Sequence, residues 1–398
     1  MQVAALAQRR VPSDKQHVVL GGMRALVSQH VTDRGRRDAM LQVLGRGSPP
    51  MCFPVGLDST NLRRLPRRPL VGLKADGDRA ALLLFTLPNG SGAAALVDRG
   101  GTMSRVGVAA AAPDAFRGTW LDVEVTLDKS ARTLLVLVLD AVCVCGRYVG
   151  GVPFEERHKA ATLTVQLTQL AFPCSGGDGE CWQPNRPTMQ MVPCTCMLCA
   201  THAPSRDYDP SLPGGMLGSC PSCRASLVAP NFAAPLGVEL RVKPLFSAAD
   251  ARLAWASRSV LDYEVDGLVV HDADALLPLG RTEDMLKWKP REATTVDLAF
   301  TWGQRGLVLQ PPRVRMRFVP VPVRDALARD LVTGAVYVGE FGVRDVGRGD
   351  VEVTLLRLRR DKSEGNTAAT LETTLRNVAH AVTPEHLFTA LQQVLGHP

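Results

Sequence analysis

Between Met51 and about residue 171, the sequence alternates short apolar runs with turn residues. Runs such as AALLLF, WLDVEVTL and TLLVLVLDAVCV are rich in aliphatic residues and are separated by segments with Gly, Pro, Asp or Ser. Runs of this kind predict strands of an antiparallel or mixed sheet. This texture constrains the fold most, because the backbone groups of each buried strand need partners on neighbouring strands.

A second group of apolar runs begins past Pro290 and contains TVDLAFTW, GLVLQ, RVRMRFVPV, GAVYVGEF and VEVTLLRLR. Five short strands in a compact stretch suit a small Greek-key barrel such as an OB-fold. Helical patterns flank the strands. Ser247 is the predicted N-cap of a helix in SAADARLAWASRSVL, and Thr383 is the predicted N-cap of a C-terminal helix with Pro384 at its first position. The chain is therefore predicted to be an α+β protein.

The length and composition set the number of domains. A chain of 398 residues with 45% hydrophobic and 21% charged residues fits two ordinary globular domains and excludes a disordered chain. The predicted segments are a helical extension at 1–50, a first domain at 51–292 with a cysteine-rich insertion at 172–232, a barrel domain at 293–366 and C-terminal helices at 367–398. The most apolar stretch, from Leu134, contains Asp140 and is too short to span a bilayer, so no membrane partner is expected.

The charge balance is basic, with 46 Lys and Arg residues against 39 Asp and Glu residues. This balance favours polyanionic partners. The first residues lack the layout of a signal peptide, so we expect an intracellular, reducing compartment. In such a compartment, ten cysteines indicate metal ligands or buried thiols sooner than disulfides.

Seven of the ten cysteines lie in the insertion, where two CxxC pairs have a spacing near that of a zinc ribbon. The pairs are Cys196 with Cys199 and Cys220 with Cys223. Four thiolates predict a closed, tetrahedral Zn²⁺ site with a structural role. The alternative is a flexible loop whose thiols stay reduced. Substitute ligands in the same segment are Cys174, Cys181, Cys194 and His202.

One lysine stands among hydrophobic neighbours in PLVGLKADGDRAALLLF. Lys74 follows an apolar run and is followed by Asp76, Gly77 and Arg79. A buried lysine is costly unless it is paired or its lowered pKa is useful. The segment by itself leaves two interpretations open, a structural ion pair and an amine nucleophile.

Further charged residues occur in an ordered series of strand-like segments after Lys74. The series comprises WLDVEV with Glu124, LVLDAV with Asp140, EVDGLVV with Asp266, LKWKP with Lys287 and Lys289, and RLRRDK with Arg357, Arg359, Asp361 and Lys362. Together with KADGDR and PFEER, this series resembles the motifs of mRNA capping guanylyltransferases. These enzymes belong to the covalent nucleotidyltransferase superfamily, which also holds the ATP-dependent polynucleotide ligases. The resemblance covers roughly residues 51–171 and 233–395.

The resemblance implies an ATP-grasp-like ligase/capping nucleotidyltransferase domain of antiparallel sheets and helices, followed by a C-terminal OB-fold barrel. It also implies a reaction in which Lys74 attacks the α-phosphorus of GTP, expels pyrophosphate and passes GMP to the 5′-diphosphate end of RNA. A separate RNA triphosphatase and a cap methyltransferase are then expected partners. Nuclear residence is expected, with cytoplasmic residence as the alternative for a virus-encoded protein.

The same resemblance implies roles for the motif residues. Asp266 is expected to bind Mg²⁺ or Mn²⁺, and Glu124 to help it or to hold a ribose hydroxyl. Arg79 is expected at the ribose or the incoming RNA end. The residues expected to bind the nucleotide and its phosphates are Asp76, Gly77, Lys287 and Lys289, joined after closure of the barrel by Arg357, Arg359, Asp361 and Lys362.

Three departures from the family pattern keep other functions open. Leu139 stands where an aromatic residue usually stacks on guanine, and Val123 replaces a glycine. A tryptophan common before the last motif is absent from VEVTLLRLR. One alternative is an ATP-dependent RNA or DNA ligase, although the VDGLVV and LKWKP forms favour capping. The other is a non-catalytic, zinc-containing RNA-binding factor.

Overall fold

A computed structural model describes residues 16–87, 89–130, 133–173, 184–185, 216–219, 226–228, 237–304, 306–314, 317–323, 331–347, 350–359 and 363–395. Its helices are α1 (Gln16–His30), α2 (Arg34–Gly45), α3 (Phe154–Gln166), α4 (Ala251–Ala256), α5 (Ala368–Ala379) and α6 (Pro384–Leu395). The predicted Cys196, Cys199, Cys220 and Cys223 site lies outside the described residues, as do the substitute ligands.

The strands of the first half are β1 (Cys52–Gly56), β2 (Pro69–Ala75), β3 (Asp78–Thr86), β4 (Gly92–Asp98), β5 (Met103–Ala110), β6 (Thr119–Leu127), β7 (Thr133–Val144), β8 (Arg147–Tyr148), β9 (Gln169–Pro173) and β10 (Pro184–Asn185). Those of the second half are β11 (Met216–Ser219), β12 (Ser226–Val228), β13 (Gly237–Val242), β14 (Leu245–Ser247), β15 (Val265–Asp272), β16 (Gly280–Trp288), β17 (Thr295–Gly303), β18 (Gly306–Leu309), β19 (Arg317–Pro320), β20 (Val336–Gly347) and β21 (Asp350–Leu358).

Two sheets form the first domain. One has five strands in the order β1-β16-β15-β2-β14, and the other has nine, in the order β10-β9-β5-β4-β3-β6-β7-β13 with β8 beside β7. Most neighbours are antiparallel, but β1 with β16 and β13 with β7 are parallel. The sheets are therefore mixed. Their apolar faces pack against each other through a small core that joins Ala75 of β2 to Leu135 and Leu137 of β7.

The outer face of the larger sheet is covered by the N-terminal helices. Met23 and Val27 of α1 and Leu44 of α2 are buried against β3, β4 and Trp120 of β6. This apolar face explains why the two helices are stable, because single amphipathic helices of this length are marginal in water.

Five strands build the second β-rich region, in the order β18-β17-β20-β21-β19. The two edge strands, β18 and β19, lie side by side, so the sheet is a nearly closed barrel. Its core contains Phe300, Phe341 and Val353. The predicted α+β class with a C-terminal barrel is confirmed.

The two C-terminal helices join the barrel to the first domain. Leu371 and Leu375 of α5 are buried in the barrel core, whereas Leu387 and Phe388 of α6 are buried against β2, β15 and β16. Trp288 Nε1, at the end of β16, donates a hydrogen bond to Val382 O between the helices at 2.7 Å. The barrel is thus connected to the first domain at two points, before β17 and after α5.

The helix-capping predictions had different outcomes. Thr383 Oγ1 accepts the amide of His386 at 3.2 Å, so the predicted cap of α6 is confirmed. The prediction for Ser247 is wrong, because α4 begins only at Ala251 and Ser247 ends β14. Its hydroxyl accepts the amide of Asp250 at 3.2 Å and closes a turn ahead of the helix. In the described part of the chain, no helix is long and apolar enough to cross a membrane.

Candidate active site

Lys74 lies where the chain passes from one sheet of the first domain to the other. It is near the end of β2, which belongs to the five-stranded sheet, and β3 of the nine-stranded sheet begins at Asp78. The antiparallel register sets Lys74 opposite Gly267 of β15. Its side chain is 19% exposed, so the amine lies at the rim of the space between the sheets.

Asp266 is brought to Lys74 by an irregularity in β15. The pairing of β15 with β2 shifts between Val265 and Gly267, which makes Asp266 the extra residue of a bulge. Bulges redirect a side chain out of the regular alternation. Asp266 Oδ1 accepts a hydrogen bond from Lys74 Nζ at 2.8 Å, and its other oxygen forms an ion pair with Lys289 Nζ. One carboxylate therefore serves two lysines.

Strand alternation explains how two more cations reach this place. In the segment Lys287–Trp288–Lys289, neighbouring side chains point to opposite faces. Trp288 is fully buried in the core and packs edge-on against Trp255, with ring centroids 5.1 Å apart. The two lysines therefore face away from that core, on the side of Asp266.

The pKa values show that lysines and carboxylates act on one another at this site. Burial alone lowers the pKa of Lys74, but attraction to Asp266 and Glu124 outweighs it and raises that pKa above its ordinary value. Burial likewise raises the pKa of Asp266, but Lys74 and Lys289 outweigh it and lower that pKa. Desolvation and the charges of Lys74 and Lys289 lower the pKa of Lys287. Lys74 is therefore a charged ammonium when no ligand is bound.

Two glycines of the motifs are required by close contacts. A Cβ at Gly267 would lie 2.1 Å from Trp288 O, so only glycine lets β15 and β16 approach beside Asp266. A Cβ at Gly77 would lie 2.7 Å from Glu124 Cγ and 2.8 Å from Val125 O. Gly77 thus lets the turn after Lys74 pass directly over β6. Asp76, in the same turn, has its pKa raised by burial and by Asp266.

Arg79 and Glu124, two of the predicted nucleotide contacts, have protein partners. Arg79 donates two hydrogen bonds to Asp122, from Nε to Oδ1 at 2.6 Å and from Nη2 to Oδ2 at 2.5 Å. Glu124 Oε2 accepts a hydrogen bond from Lys243 Nζ at 3.1 Å. Val123, between the two acids, is fully buried in β6.

Lys243 and the pair of Arg157 with Asp140 were missed as site residues by the sequence analysis. Lys243 is a buried lysine just after β13, and burial lowers its pKa. Its signal was a lone lysine in the apolar segment RVKPLF, the same signal that singled out Lys74. Arg157 of PFEER is fully buried and binds both oxygens of Asp140, at 2.9 and 2.8 Å. This pair ties α3 to β7.

An open cavity lies between the sheets next to Lys74. Polar groups border it on one side, and apolar side chains and rings form the rest. The polar border comprises Lys74, Arg79, Glu124 and Lys243, and the remaining lining includes Leu139, Phe154, His158, Val269, His271 and Met285. Leu139 faces the cavity because it is the extra residue of a bulge in β7, between Val138 and Asp140.

The barrel arginines are paired within the barrel. Arg357 Nε is 2.5 Å from Glu340 Oε2, and Arg359 Nη1 is 3.1 Å from Asp297 Oδ1. The charge of Arg357 also acts on Asp76 and favours its ionised form. Asp361 and Lys362 lie outside the described residues. Asn366 accepts the amide of Asp297 at 2.8 Å and so anchors the end of the motif.

The described residues contain no cluster of three or more acidic, histidine or cysteine side chains placed to hold a metal ion. Asp266 is the carboxylate best placed beside Lys74. Mg²⁺ usually binds through one or two carboxylates together with substrate phosphates and waters. The donor set therefore fits a magnesium ion that arrives with a nucleotide, and Mn²⁺ accepts the same oxygen ligands.

Residues 20–170 match the family model described as mRNA capping enzyme, catalytic domain. No curated protein matches the chain. The solved structures that resemble it include a mycobacterial DNA ligase D complexed with ATP and MES, 13% identical over 79% of this chain and 95% of that one, with a TM-score of 0.40. Another is the Chlorella virus DNA ligase-adenylate, 10% identical over 79% of this chain and 99% of that one, with a TM-score of 0.29. Superpositions this loose support no argument about activity.

The resemblance to capping enzymes that the motifs predicted is confirmed by the family match. The matched residues include Lys74 and the whole of β2 to β7. The match and the geometry beside Lys74 support a covalent nucleotidyltransferase.

Proposed function

We propose that this protein is an mRNA guanylyltransferase that forms a covalent lysine–GMP intermediate from GTP and transfers GMP to the 5′-diphosphate end of RNA. The observation that carries the proposal is the charge arrangement at Lys74. A structural ion pair needs one cation for one carboxylate, whereas Asp266 serves both Lys74 and Lys289, with Lys287 close by. Three lysines gathered around one carboxylate at the rim of a cavity suit a polyphosphate ligand.

In the first half-reaction, the ammonium of Lys74 loses one proton to solvent, and the free amine attacks the α-phosphorus of GTP and releases a second proton to solvent as the phosphoramidate forms. A nitrogen–phosphorus bond forms, the bond between the α-phosphorus and the bridging oxygen breaks, and pyrophosphate leaves with the electron pair. A phosphate group that binds Lys289 competes for its pairing with Asp266. Lys287 and Lys289 then stabilise the charge that develops on the transferring group.

A bound magnesium ion supplies Lewis-acid stabilisation of the phosphate oxygens. Asp266 is the residue that would hold it. Glu124 accepts a hydrogen bond from Lys243 and borders the cavity. This position favours a contact of Glu124 with the ribose over a contact with the metal.

Arg357 and Arg359, with Asp361 and Lys362, would engage the β- and γ-phosphates when the barrel closes over GTP. To do so, the two arginines have to exchange Glu340 and Asp297 for phosphate oxygens. In the second half-reaction, a terminal phosphate oxygen of the RNA attacks the lysine-bound GMP, the nitrogen–phosphorus bond breaks, and the cap GpppN and free Lys74 are the products.

The test is covalent labelling. The protein is incubated with Mg²⁺ and either α-labelled GTP or α-labelled ATP, and the acid-resistant labelled band is measured. We expect label from GTP and little from ATP, and transfer of the label to 5′-diphosphate RNA. Label from ATP alone, passed to nicked RNA or DNA, would instead identify a ligase. The absence of label from both would favour a non-catalytic RNA-binding factor.

Three further expectations belong to this proposal. A separate RNA triphosphatase and a cap methyltransferase act before and after this step. The protein works in the nucleus, or in the cytoplasm if a virus encodes it. The CxxC pairs Cys196/Cys199 and Cys220/Cys223 bind one structural Zn²⁺ per chain. Metal analysis of protein purified without chelators should find zinc that Cys220→Ser removes, while Lys74 keeps much of its labelling.

A further inference from the structure

The proposed reaction needs a surface for the acceptor RNA beyond its 5′-diphosphate. In phosphoryl transfer, the attacking and leaving atoms lie roughly in line on opposite sides of the phosphorus. Lys74 attacks in the first half-reaction and leaves in the second, so the phosphates of the RNA enter the space that pyrophosphate left, beside Lys287 and Lys289. The nucleotides that follow then extend from these lysines over the surface of the protein.

An exposed arginine lies on the same strand as Lys287, at its other end. This strand, β16, pairs with β1, the edge strand of the five-stranded sheet. Lys287 lies opposite Gly56 of β1, and Arg281 lies opposite Phe53. Three residues of a strand span about 10 Å, so Arg281 is that far from Lys287 along the edge of the sheet. After burial and the two neighbouring lysines, the charge of Arg281 also lowers the pKa of Lys287.

A second exposed arginine meets Arg281 at Phe53. Arg99 lies in the turn between β4 and β5, and its guanidinium carbon is 4.7 Å from the centroid of the Phe53 ring. A guanidinium at this distance is attracted to the face of the ring. Phe53 therefore has Arg281 beside it on the neighbouring strand and Arg99 over its ring. The fold thus brings two exposed cations from distant parts of the chain to one place on the surface.

The acids next to these arginines in the sequence bind other groups. Glu283 pairs with Arg64. Asp98 Oδ1 accepts the amides of Gly100 and Thr102, each at 2.8 Å, within its own turn.

Among the described residues, neither Arg281 nor Arg99 forms an ion pair with an acid. Both guanidinium groups are therefore available to a ligand. Proteins that bind single-stranded nucleic acid combine cations that follow the phosphates with flat side chains on which bases stack.

We propose that Arg281 and Arg99, grouped around Phe53, form a surface that binds the phosphates near the 5′ end of the acceptor RNA. The proposal rests on the proposed function and assigns a place to the strand that receives GMP. Phosphates of a stacked strand are about 3.4 Å apart along its axis, so Arg281 would meet about the third nucleotide from the end held at Lys287. Arg99 would meet the strand just beyond it.

Salt-dependent binding tests the proposal without requiring the chemical step. In a Lys74→Ala background, we would measure the Kd of a short 5′-diphosphate RNA by fluorescence anisotropy at several salt concentrations. Each phosphate contact of a single strand contributes about 0.7 to the slope of log Kd against log salt. Arg281→Ala and Arg99→Ala should each reduce this slope by about 0.7, and the double variant by about 1.4. The double variant should also raise the Kd of the RNA about tenfold at low salt.

Other variants separate a phosphate contact from a general loss of charge. Arg281→Lys keeps the cation and should retain most of the slope. Arg67→Ala is the matched control, because Arg67 is exposed just before β2, at the opposite end of that strand from Lys74. It should leave the slope unchanged. The Kd of GTP, measured in the same proteins, should rise much less than that of the RNA, and melting temperatures show whether each variant folds.

Several results would overturn the proposal. An unchanged slope in the double variant, an equal reduction in Arg67→Ala, or an equal rise in the Kd of GTP would each exclude this surface. RNA binding too weak to measure in protein that keeps both arginines would exclude it as well. The proposed function fails in a different way, because RNA would then bind with a salt dependence that needs both arginines while the wild-type protein forms no covalent adduct with GTP.

Discussion

The cations of the first domain and those of the barrel are held in different ways. Around Asp266, Lys74 and Lys289 share one carboxylate, and Lys287 lies nearby. In the barrel, Arg357 pairs with Glu340, and Arg359 pairs with Asp297 at 3.1 Å and more loosely with Glu340 at 3.9 Å. The first region gathers three lysines around Asp266, with Asp76 and Glu124 as further acids that act on Lys74, whereas the second has one acid for each arginine. The first is thus suited to attract phosphate, whereas the second gains a phosphate only by giving up a partner.

The largest effect is expected from the nucleophile. Lys74→Ala should abolish labelling by GTP, and Lys74→Arg should do the same because a guanidinium stays protonated. Lys159→Ala is the matched control, since Lys159 lies on the surface of α3 and its partners among the described residues are Glu155 and Glu156. Labelling should persist in that variant. Labelling that survives in either Lys74 variant would assign the nucleophile to another residue.

The second prediction concerns the shared carboxylate. Asp266→Asn should slow adduct formation about 100-fold, because the lysines lose their common partner and the metal loses its carboxylate. The control is Asp284→Asn, an exposed aspartate on the neighbouring strand β16 whose carboxylate accepts a hydrogen bond from Thr282. Single-turnover adduct formation measures both variants.

The pH dependence of adduct formation provides a second test of the pairing between Asp266 and Lys74. The raised pKa of Lys74 means that wild-type adduct formation increases with pH as the ammonium loses its proton. Without Asp266, burial acts on Lys74 with less opposition and its pKa falls. The residual activity of Asp266→Asn should therefore reach its plateau at lower pH than the wild type. A shift to higher pH would contradict the pairing of Asp266 with Lys74.

The third prediction separates the half-reactions and tests the barrel. Arg359→Ala should slow adduct formation by about 10- to 100-fold, whereas transfer of preformed GMP to RNA should change little, since pyrophosphate has already left. Arg317→Ala is the control, because that arginine pairs with Asp350 on the exposed surface of the same barrel. Equal losses in both half-reactions would mean that Arg359 holds the barrel together.

The structural features that can be predicted from the sequence also differ between regions of the molecule. The strands and the barrel follow from apolar runs and turns, which are local signals. The two lysines of KWK follow from alternation, with Trp288 turned into the core. The bulges at Leu139 and Asp266 could not be predicted, because each depends on the register between strands far apart in the sequence.

Long-range pairing also explains the residues that were missed. Lys243 meets Glu124 only after β13 has paired with β7, and Arg157 meets Asp140 only after α3 has packed on the same sheet. His271 stacks on a phenylalanine more than a hundred positions earlier in the chain. A sequence pattern can mark such residues as unusual, but it does not identify their partners. Ser247 shows the opposite limitation. Its local sequence predicted a helix N-cap, but its hydroxyl closes a turn ahead of the helix.

The smallest effect is expected from releasing one barrel arginine. Glu340→Gln removes the charge that holds Arg357 and keeps an oxygen for the hydrogen bond from Thr295. Because Arg357 is 55% exposed, its ion pair contributes about 0–1 kcal/mol, so the affinity for GTP should rise no more than about fivefold. Glu352→Gln, which breaks a looser pair with Arg344 at 3.9 Å, is the control and should leave affinity unchanged.

A second measurement on Glu340→Gln concerns stability. Burial disfavours ionised Glu340, but hydrogen bonds from Arg357 and Thr295 outweigh it and lower its pKa. This interaction therefore stabilises the fold above the ordinary glutamate pKa and is lost as the pH falls through the lowered value. The variant should lose less stability than the wild type on acidification. Weaker GTP binding by the variant would reverse the comparison, because Glu340 would then position Arg357 for phosphate and not compete with phosphate for it.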